Sequence, residues 1–227
     1  MVYGIIVAGG RGTRLPGDIA KQYLDLGGMP ILSRTVSVFC SCEAVDAIVL
    51  VVPETGIDYC CHAILPHCTP EREIQVVAGG AERQASVYNG LKAVNGTKKD
   101  IVLIHDGVRP FVTPEMIQSC IKGLGHAQGC IAAVPASDTL KAVESGNRIA
   151  HTIDRGNVWL AQTPQAFHYG TIRRAHEAAA IENVTATDDA ALLEQAGEMV
   201  TVIPGSPLNI KITTPEDLIL ARAILNP

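Results

Sequence analysis

The strongest constraint on how this chain can fold is a rhythm of short apolar runs rich in β-branched residues. They read "VYGIIVA" from Val2, "AIVLVVP" from Ala47, "EIQVVAG" from Glu73, "DIVLIHD" from Asp100, "CIAAVPA" from Cys130 and "VTVIPG" from Val200. Runs that stay apolar instead of alternating with polar residues belong to strands buried on both faces, which is the habit of parallel sheets. Between them, "MPILSRTVSVFC", "ERQASVYNGLKAV" and "TPEMIQSCIKGLGHA" space their apolar residues three and four apart, as helices do. "TPEM" and "TPEDL" each offer Thr as N-cap, Pro at the first helical position and an acid in the first turn. The pattern predicts an α/β, doubly wound, mostly parallel sheet covered by helices on both sides.

One segment breaks the rhythm. Residues 137–158, containing "SDTLKAVESGNRIAHTIDRGN", alternate polar with apolar around a Ser145-Gly146-Asn147 turn signal, which predicts a β-arm projecting from the sheet. No repeat, low-complexity tract or linker divides residues 1–227, so one domain carrying this arm is expected. With 227 residues, 47 % of them hydrophobic, such a domain can bury a full core. The N-terminal stretch lacks the signature of a secretory signal, and no apolar run reaches the roughly 18 residues of a membrane span, so a cytoplasmic protein with no membrane partner is expected.

Charge narrows the ligand class. The formal net charge is −5 and there is no Lys/Arg run, so a general nucleic-acid surface is not expected. Any anion must be met by a few placed cations. The seven cysteines, Cys40, Cys42, Cys60, Cys61, Cys68, Cys120 and Cys130, are odd in number and scattered, unlike a secreted disulfide framework. Cys60, Cys61, His62, His67 and Cys68 have metal-binding chemistry but lack the C-x₂-C spacing of a zinc site. His126, His151, His168 and His176 show no nucleophile or orienting partner in the sequence.

Such cations follow the first strand, in "AGGRGTRLPGDIAKQY". Gly9, Gly10 and Gly12 leave backbone N–H groups free to face an anion, beside Ala8 and Thr13. The third glycine of the dinucleotide fingerprint is missing, and no Gly-Lys-Ser/Thr closes a Walker loop. What remains is a glycine loop followed by Arg11, Arg14 and Lys21, cations suited to a triphosphate and a departing pyrophosphate. Asp106 ends a buried strand, where open α/β sheets bind ligands, and a carboxylate there suits a hard divalent cation on phosphate oxygens. Lys211, alone in the apolar "NIKIT", is expected to point its ammonium at an anion. Thr163 and Thr187 offer hydroxyls to a polyol, although Thr187, ahead of Asp188 and Asp189, equally fits a helix cap. Arg83 and Ser86 near Gly79 and Gly80 are either nucleotide contacts or the cap and decoration of a helix.

These motifs resemble the cytidylyltransferases that activate polyol phosphates. The similarity is carried by "AGGRGTRLPGDIAKQYLDL", "GGAERQASVYNGL", "HDGVRPF", "DTLK", "DR...W.AQTPQAF", "TDDA" and "NIKITTPEDL", in order along essentially the whole chain. The resemblance implies a Rossmann-like fold of the nucleotide-diphospho-sugar transferase type, CTP and Mg²⁺ as nucleotide and cofactor, and a homodimer whose β-arms interlock. It assigns Arg14, Lys21 and Lys211 to catalysis, and Ala8, Gly9, Gly10, Gly12, Thr13, Gly80, Arg83, Ser86 and Asp106 to the nucleotide, with Asp106 on the metal. Arg109, Thr139, Arg155, Thr163 and Thr187 would hold the acceptor, Thr139 and Arg155 reaching across from the partner chain.

The resemblance implies as acceptor either 2-C-methyl-D-erythritol 4-phosphate, in isoprenoid precursor synthesis, or ribitol 5-phosphate. Leu208, "NIKITTP" and the "VRP" around Arg109 lean toward the ribitol branch. Ser86-Val87, Thr139-Leu140-Lys141 and Asp154-Arg155 with Trp159 lean toward methylerythritol, which the balance favours. Ala20 stands where relatives carry proline before the lysine, which leaves the approach to Lys21 less stiff. A nucleotide-binding module without catalysis would be expected to lack one of Arg14, Lys21, Asp106 and Lys211, and all four are present.

Overall fold

The computed structural model describes residues 1–10, 20–68 and 72–225. Nine strands and seven helices are found among them. The strands are β1 (Val2–Val7), β2 (Ala47–Val52), β3 (Glu73–Ala78), β4 (Ile101–Asp106), β5 (Gly129–Pro135), β6 (Leu140–Val143), β7 (Ile149–Ile153), β8 (Trp159–His168) and β9 (Val200–Pro204). The helices are α1 (Ile31–Ser41), the single turn α2 (Ile57–Tyr59), α3 (Arg83–Ala93), α4 (Pro114–Gly123), α5 (Tyr169–Glu182), α6 (Asp189–Gln195) and α7 (Pro215–Leu225).

Seven strands form one sheet in the order β3-β2-β1-β4-β8-β5-β9. Every pairing is parallel except those of β8, which runs antiparallel to both β4 and β5. The doubly wound, mostly parallel sheet expected from the apolar runs is the one observed, and all six runs are strands.

The period of two along each strand sends alternate residues to opposite cores. Ile6, Ile48, Leu50 and Leu103 meet Leu32, Val36 and Phe39 of α1 and Ile117 of α4 on one face. Ile5, Val49, Val51, Val102 and Ile104 meet Leu91 of α3, Ile172 of α5 and Leu193 of α6 on the other. Burial of each such side chain contributes about 1.5–3 kcal/mol, so the two layers rather than local propensity hold the helices in place. Gly90 lets α3 approach the sheet, since a Cβ there would lie 2.6 Å from Ile5 Cγ2 and 3.0 Å from Val51 Cγ2.

The caps follow the sequence signals. Thr113 Oγ1 accepts from Met116 N at 3.3 Å and starts α4. At α7, Asp217 N donates to Thr214 Oγ1 while Thr214 N donates to Asp217 Oδ2, a reciprocal box.

The central strand β8 is the departure from the sequence reading, which has no strand between Cys130 and Val200 outside the arm. Gln162, Thr163, Pro164 and Gln165 erase any apolar run there. Pro164 is accommodated where the β5–β8 register shifts, between Ile131 and Ala133, so its missing N–H does not break a regular ladder.

Before β8 the chain leaves the sheet as the hairpin β6–β7, paired antiparallel. Gly146 (φ 77°) and Asn147 (φ 58°) make its turn. Every residue of β7 is exposed, and Val143, Ile149, Ile153, Trp159 and Leu160 present apolar side chains to solvent.

Candidate active site

The parallel register places Val7 opposite Asp106, so the glycine loop after β1 and the carboxylate at the end of β4 leave the sheet side by side. The loop after β3 joins them, with Ala8 N on Val51 O at 2.7 Å and Gly79 N on Val52 O at 2.8 Å. Gly9, Gly79 and Gly80 converge on the start of α3. A Cβ on Gly9 or Gly79 would come within 3.0 or 2.9 Å of Ser86 Oγ. Ser86 is buried, donates to Glu82 O at 3.0 Å and accepts from Gly80 N at 3.0 Å. Its hydroxyl therefore braces the glycine turn from beneath. Buried Gln22 ties the other end, donating to Ala8 O at 2.9 Å, and Lys21 lies beside it on a short 3₁₀ turn, Lys21–Tyr23. Gly10 is exposed at the loop's rim. Gly12, Thr13 and Arg14, with Arg11, lie outside the described residues.

Asp106 is 6 % exposed and gathers three cations. Arg83 Nε lies 3.0 Å from its Oδ1, while Lys211 Nζ at 2.9 Å and Arg109 Nε at 3.6 Å share Oδ2. Burial alone would push this carboxyl up, but the Arg83 and Lys211 charges override it and hold it well below the usual carboxylate range. Arg109 is fixed at its other end by Nη1 on Asn209 O at 2.7 Å. Fully buried Asn209 in turn donates to Thr163 O at 2.8 Å, which ties the Lys211 segment to β8.

Arg83 bridges to a second carboxylate. Its Nη1 lies 2.8 Å from Asp189 Oδ2, and Asp189 Oδ1 takes His176 Nε2 at 3.0 Å. Asp189 is 1 % exposed, and the His176 ring stacks on Tyr88 at 6.2 Å. Thr163 Oγ1 accepts from Asp106 N at 3.1 Å and meets His105 Nδ1 at 3.0 Å. Burial pushes the His105 imidazole down to about 4, so the ring is neutral near pH 7.

Arg83, Asp106, Arg109, Thr163, Thr187 and Lys211 thus share one cleft of about 230 Å³. Thr187 is exposed at its mouth and does not cap α6. That role falls to Asp188, whose Oδ1 accepts from Ala191 N at 3.0 Å, because Asp188 is the residue that immediately precedes the helix in extended backbone and Thr187 lies one position too early. Thr139 and Arg155 are exposed on and beside the arm, and within one chain neither lines this cleft.

The sequence reading misses Asp189, His176, His105, Asn209 and Gln22. An acid in a helix's first turn reads as a dipole partner, and an Asp in "TDDA" carries no mark of being buried. His105 and Asn209 flank residues that were singled out, which is the signal that could have drawn attention to them.

The donor set bears on a divalent cation. Among the described residues no group of three His, Cys, Asp or Glu side chains comes together. A single carboxylate at a phosphate site suits Mg²⁺, which keeps waters and takes most of its ligands from the substrate. Asp106 has that chemistry.

The chain matches the family model described as 2-C-methyl-D-erythritol 4-phosphate cytidylyltransferase over residues 2–227. It is 48 % identical over 226 residues to the 2-C-methyl-D-erythritol 4-phosphate cytidylyltransferase of Geobacter metallireducens, covering 99 % of this chain and 97 % of that protein. The enzyme of the same name from Geotalea uraniireducens is 48 % identical over 225 residues, covering 99 % and 96 %. In structure this chain is similar to the 4-diphosphocytidyl-2C-methyl-D-erythritol synthase of Anaerococcus prevotii, with a TM-score of 0.87, 33 % identity and coverage of 100 % and 96 %. These full-length similarities fall on the methylerythritol branch despite Leu208 and the "VRP" and "NIKITTP" spellings, and the chain belongs to the 2-C-methyl-D-erythritol 4-phosphate cytidylyltransferase family.

Proposed function

We propose that this chain is the enzyme that transfers the cytidylyl group of CTP to 2-C-methyl-D-erythritol 4-phosphate, in isoprenoid precursor synthesis. Family membership across residues 2–227 carries the reading, and the cation cluster around Asp106 supports it. An oxygen of the acceptor phosphate attacks the α-phosphorus in line. A new P–O bond forms, the bond to the bridging α–β oxygen breaks, and pyrophosphate leaves with that electron pair. The attacking oxygen is already anionic, so neither a protein nucleophile nor a general base is required, and the protein's part is positioning and charge stabilisation.

In this reading Gly9, Gly10, Gly12 and Thr13 offer backbone amides to the triphosphate, with Ala8 and Gly80 beside them. Arg14, Lys21 and Lys211 neutralise charge around the α-phosphate and the leaving group. Arg83 and Ser86 act on the nucleotide side indirectly, Arg83 by steadying Asp106 and Ser86 by shaping the glycine turn. Asp106 would hold Mg²⁺, which when bound supplies charge neutralisation on the triphosphate oxygens. Arg109, Thr163 and Thr187 line the acceptor side.

Thr139 and Arg155 complete that side from a second copy, joined through the arm. The exposed apolar residues of β6, β7 and the start of β8 are consistent with such a homodimer, since solvated hairpins seldom carry so many. No helix among the described residues is long and apolar enough to cross a membrane.

The test is pyrophosphate release with CTP and Mg²⁺ and either methylerythritol phosphate or ribitol 5-phosphate. Release with the first acceptor alone is expected. Turnover with ribitol 5-phosphate alone would move the chain to the sister activity, and turnover only with UTP or ATP would overturn the nucleotide.

A further inference from the structure

His105 is fully buried beneath the cleft, packed on Phe39 with ring centroids 5.1 Å apart, and no step of the transfer uses it. Its hydrogen bonds nevertheless determine what the cleft offers to a substrate. Nε2 lies 3.1 Å from the carbonyl oxygen of Arg109. A carbonyl oxygen only accepts, so Nε2 carries the ring hydrogen. With 0 % exposure and no carboxylate against either ring nitrogen among the described residues, the buried imidazole carries no charge, so Nδ1 keeps a bare lone pair, and the group facing it at 3.0 Å is the Thr163 hydroxyl. Thr163 therefore donates its hydrogen to His105, while its oxygen accepts from Asp106 N at 3.1 Å. One lone pair is left on that oxygen, which belongs to a residue lining the cleft.

We propose that His105 is a positioning residue that fixes Thr163 as a hydrogen-bond acceptor, so that Thr163 receives a hydroxyl of the polyol and not a phosphate oxygen. The inference rests on the cytidylyltransferase reading for the identity of the polyol. A phosphate oxygen brings no hydrogen and would meet the Thr163 lone pair with repulsion. A carbinol brings one and completes the network. The same ring holds the Arg109 carbonyl and, through Thr163, the Asp106 amide, so the acceptor side and the carboxylate share one rigid support. Exchange of roles is blocked at both ends, by a carbonyl that cannot donate and by an amide that cannot accept.

The first measurement is the ¹⁵N signature of the His105 ring in the full-length protein. The Nε2–H tautomer is expected, and the Nδ1–H tautomer would overturn the proposal whatever the activity. The second is steady-state kinetics on His105→Leu, His105→Asn, Thr163→Val and the Leu/Val double variant. Loss of one hydrogen bond to a neutral hydroxyl should raise the acceptor KM about tenfold in His105→Leu and in Thr163→Val, with a smaller rise in the CTP KM from the loosened Asp106 amide. If His105 acts through Thr163, the Leu substitution adds little once Thr163 is Val. His105→Asn, whose Oδ1 can take the Thr163 hydrogen, should hold the acceptor KM closer to wild type than Leu does. A Leu penalty that persists in full in the Val background, or an Asn variant no better than Leu, would refute the role. Absence of pyrophosphate release from the wild type would instead count against the functional reading, and leaves the tautomer test standing.

Discussion

Replacing Asp189 by asparagine tests how the buried charges of the site contribute to stability. Asp189 is 1 % exposed and accepts from Arg83 Nη1 at 2.8 Å and His176 Nε2 at 3.0 Å. The exchange keeps the volume, so it opens no cavity and the cost is electrostatic. Removing one partner of a buried ion pair costs about 3–5 kcal/mol. Two features reduce it here. Arg83 keeps Asp106 at 3.0 Å and its side chain is 29 % exposed, so water screens what is lost. The new Oδ1 also still accepts from the guanidinium. Against this, His176 must either point Nε2–H at an amide NH₂ or move its hydrogen to Nδ1, a buried atom with no partner among the described residues. The net expectation is a loss of about 2–3 kcal/mol, which lowers Tm by about 4–12 °C in a chain of this size. Scanning calorimetry at pH 7 reads it directly.

The same variant predicts a pH signature. Burial on its own would raise the Asp189 carboxyl, but the Arg83 charge and the His176 hydrogen bond hold it below its ordinary 3.8. A depressed folded value means the stabilisation is fully present above the unfolded value, about 3.9, and disappears as pH falls through the folded one. The Tm gap between wild type and Asp189→Asn should therefore be constant near neutrality and shrink in acid. Equal Tm values at pH 7, or a gap that acid leaves unchanged, would refute this reasoning.

Two further outcomes follow from the arm and from the sheet packing. If Arg155 serves the partner's cleft, Arg155→Ala and Lys211→Ala proteins, each inactive alone, should regain about a quarter of wild-type activity when mixed and re-equilibrated, because half the dimers are mixed and each has one intact site; no recovery would place Arg155 in its own chain's cleft or outside the site. Gly90→Ala sets a helix-propensity gain of up to about 1 kcal/mol against a Cβ 2.6 Å from Ile5 Cγ2, and since Ile5 is fixed in a central strand, overpacking should win, with a net loss of about 1–2 kcal/mol by chemical denaturation.

How much of this was legible depended on whether a residue's partner could be inferred from its own neighbourhood. The runs of β1, β2, β4 and β5 announce themselves because burial on both faces favours an unbroken apolar stretch, those of the edge strands β3 and β9 because they stay rich in valine and isoleucine, and the Thr-Pro-Glu caps because their partners lie three residues away. Strand β8 is hidden because the residues that build the cleft, Gln162, Thr163 and Gln165, are polar while buried, and Pro164 sits beside them. Asp106 and Lys211 could be singled out separately, one at the end of an apolar strand and the other as a lone cation among apolar neighbours. Their meeting at 2.9 Å could not be derived from spacing, since they stand on elements far apart in the chain. Arg83 shows the limit most clearly. Its position at the start of a helix reads as either a nucleotide contact or decoration, and only the fold brings it between Asp106 and Asp189.

The placement of Arg83 also explains why a site proposed for a polyanion contains carboxylates. Arg83, Arg109 and Lys211 repel one another when no ligand is bound, and long side chains would relieve that repulsion by swinging into solvent. Asp106 opposes this by giving all three a common partner 2.9–3.6 Å away. Asp189 does the same for Arg83 from the far side, which fixes the guanidinium along a line instead of at one point. The cluster remains net positive because two carboxylates face three permanent cations. Under the proposed function, an arriving triphosphate would meet charges already in place and need not spend binding energy gathering them, which is the condition under which they can stabilise charge developing on the leaving group. By this logic Asp106→Asn would loosen Lys211 and Arg109 even with no nucleotide present, and would lower turnover whether or not this carboxylate is the metal ligand proposed above.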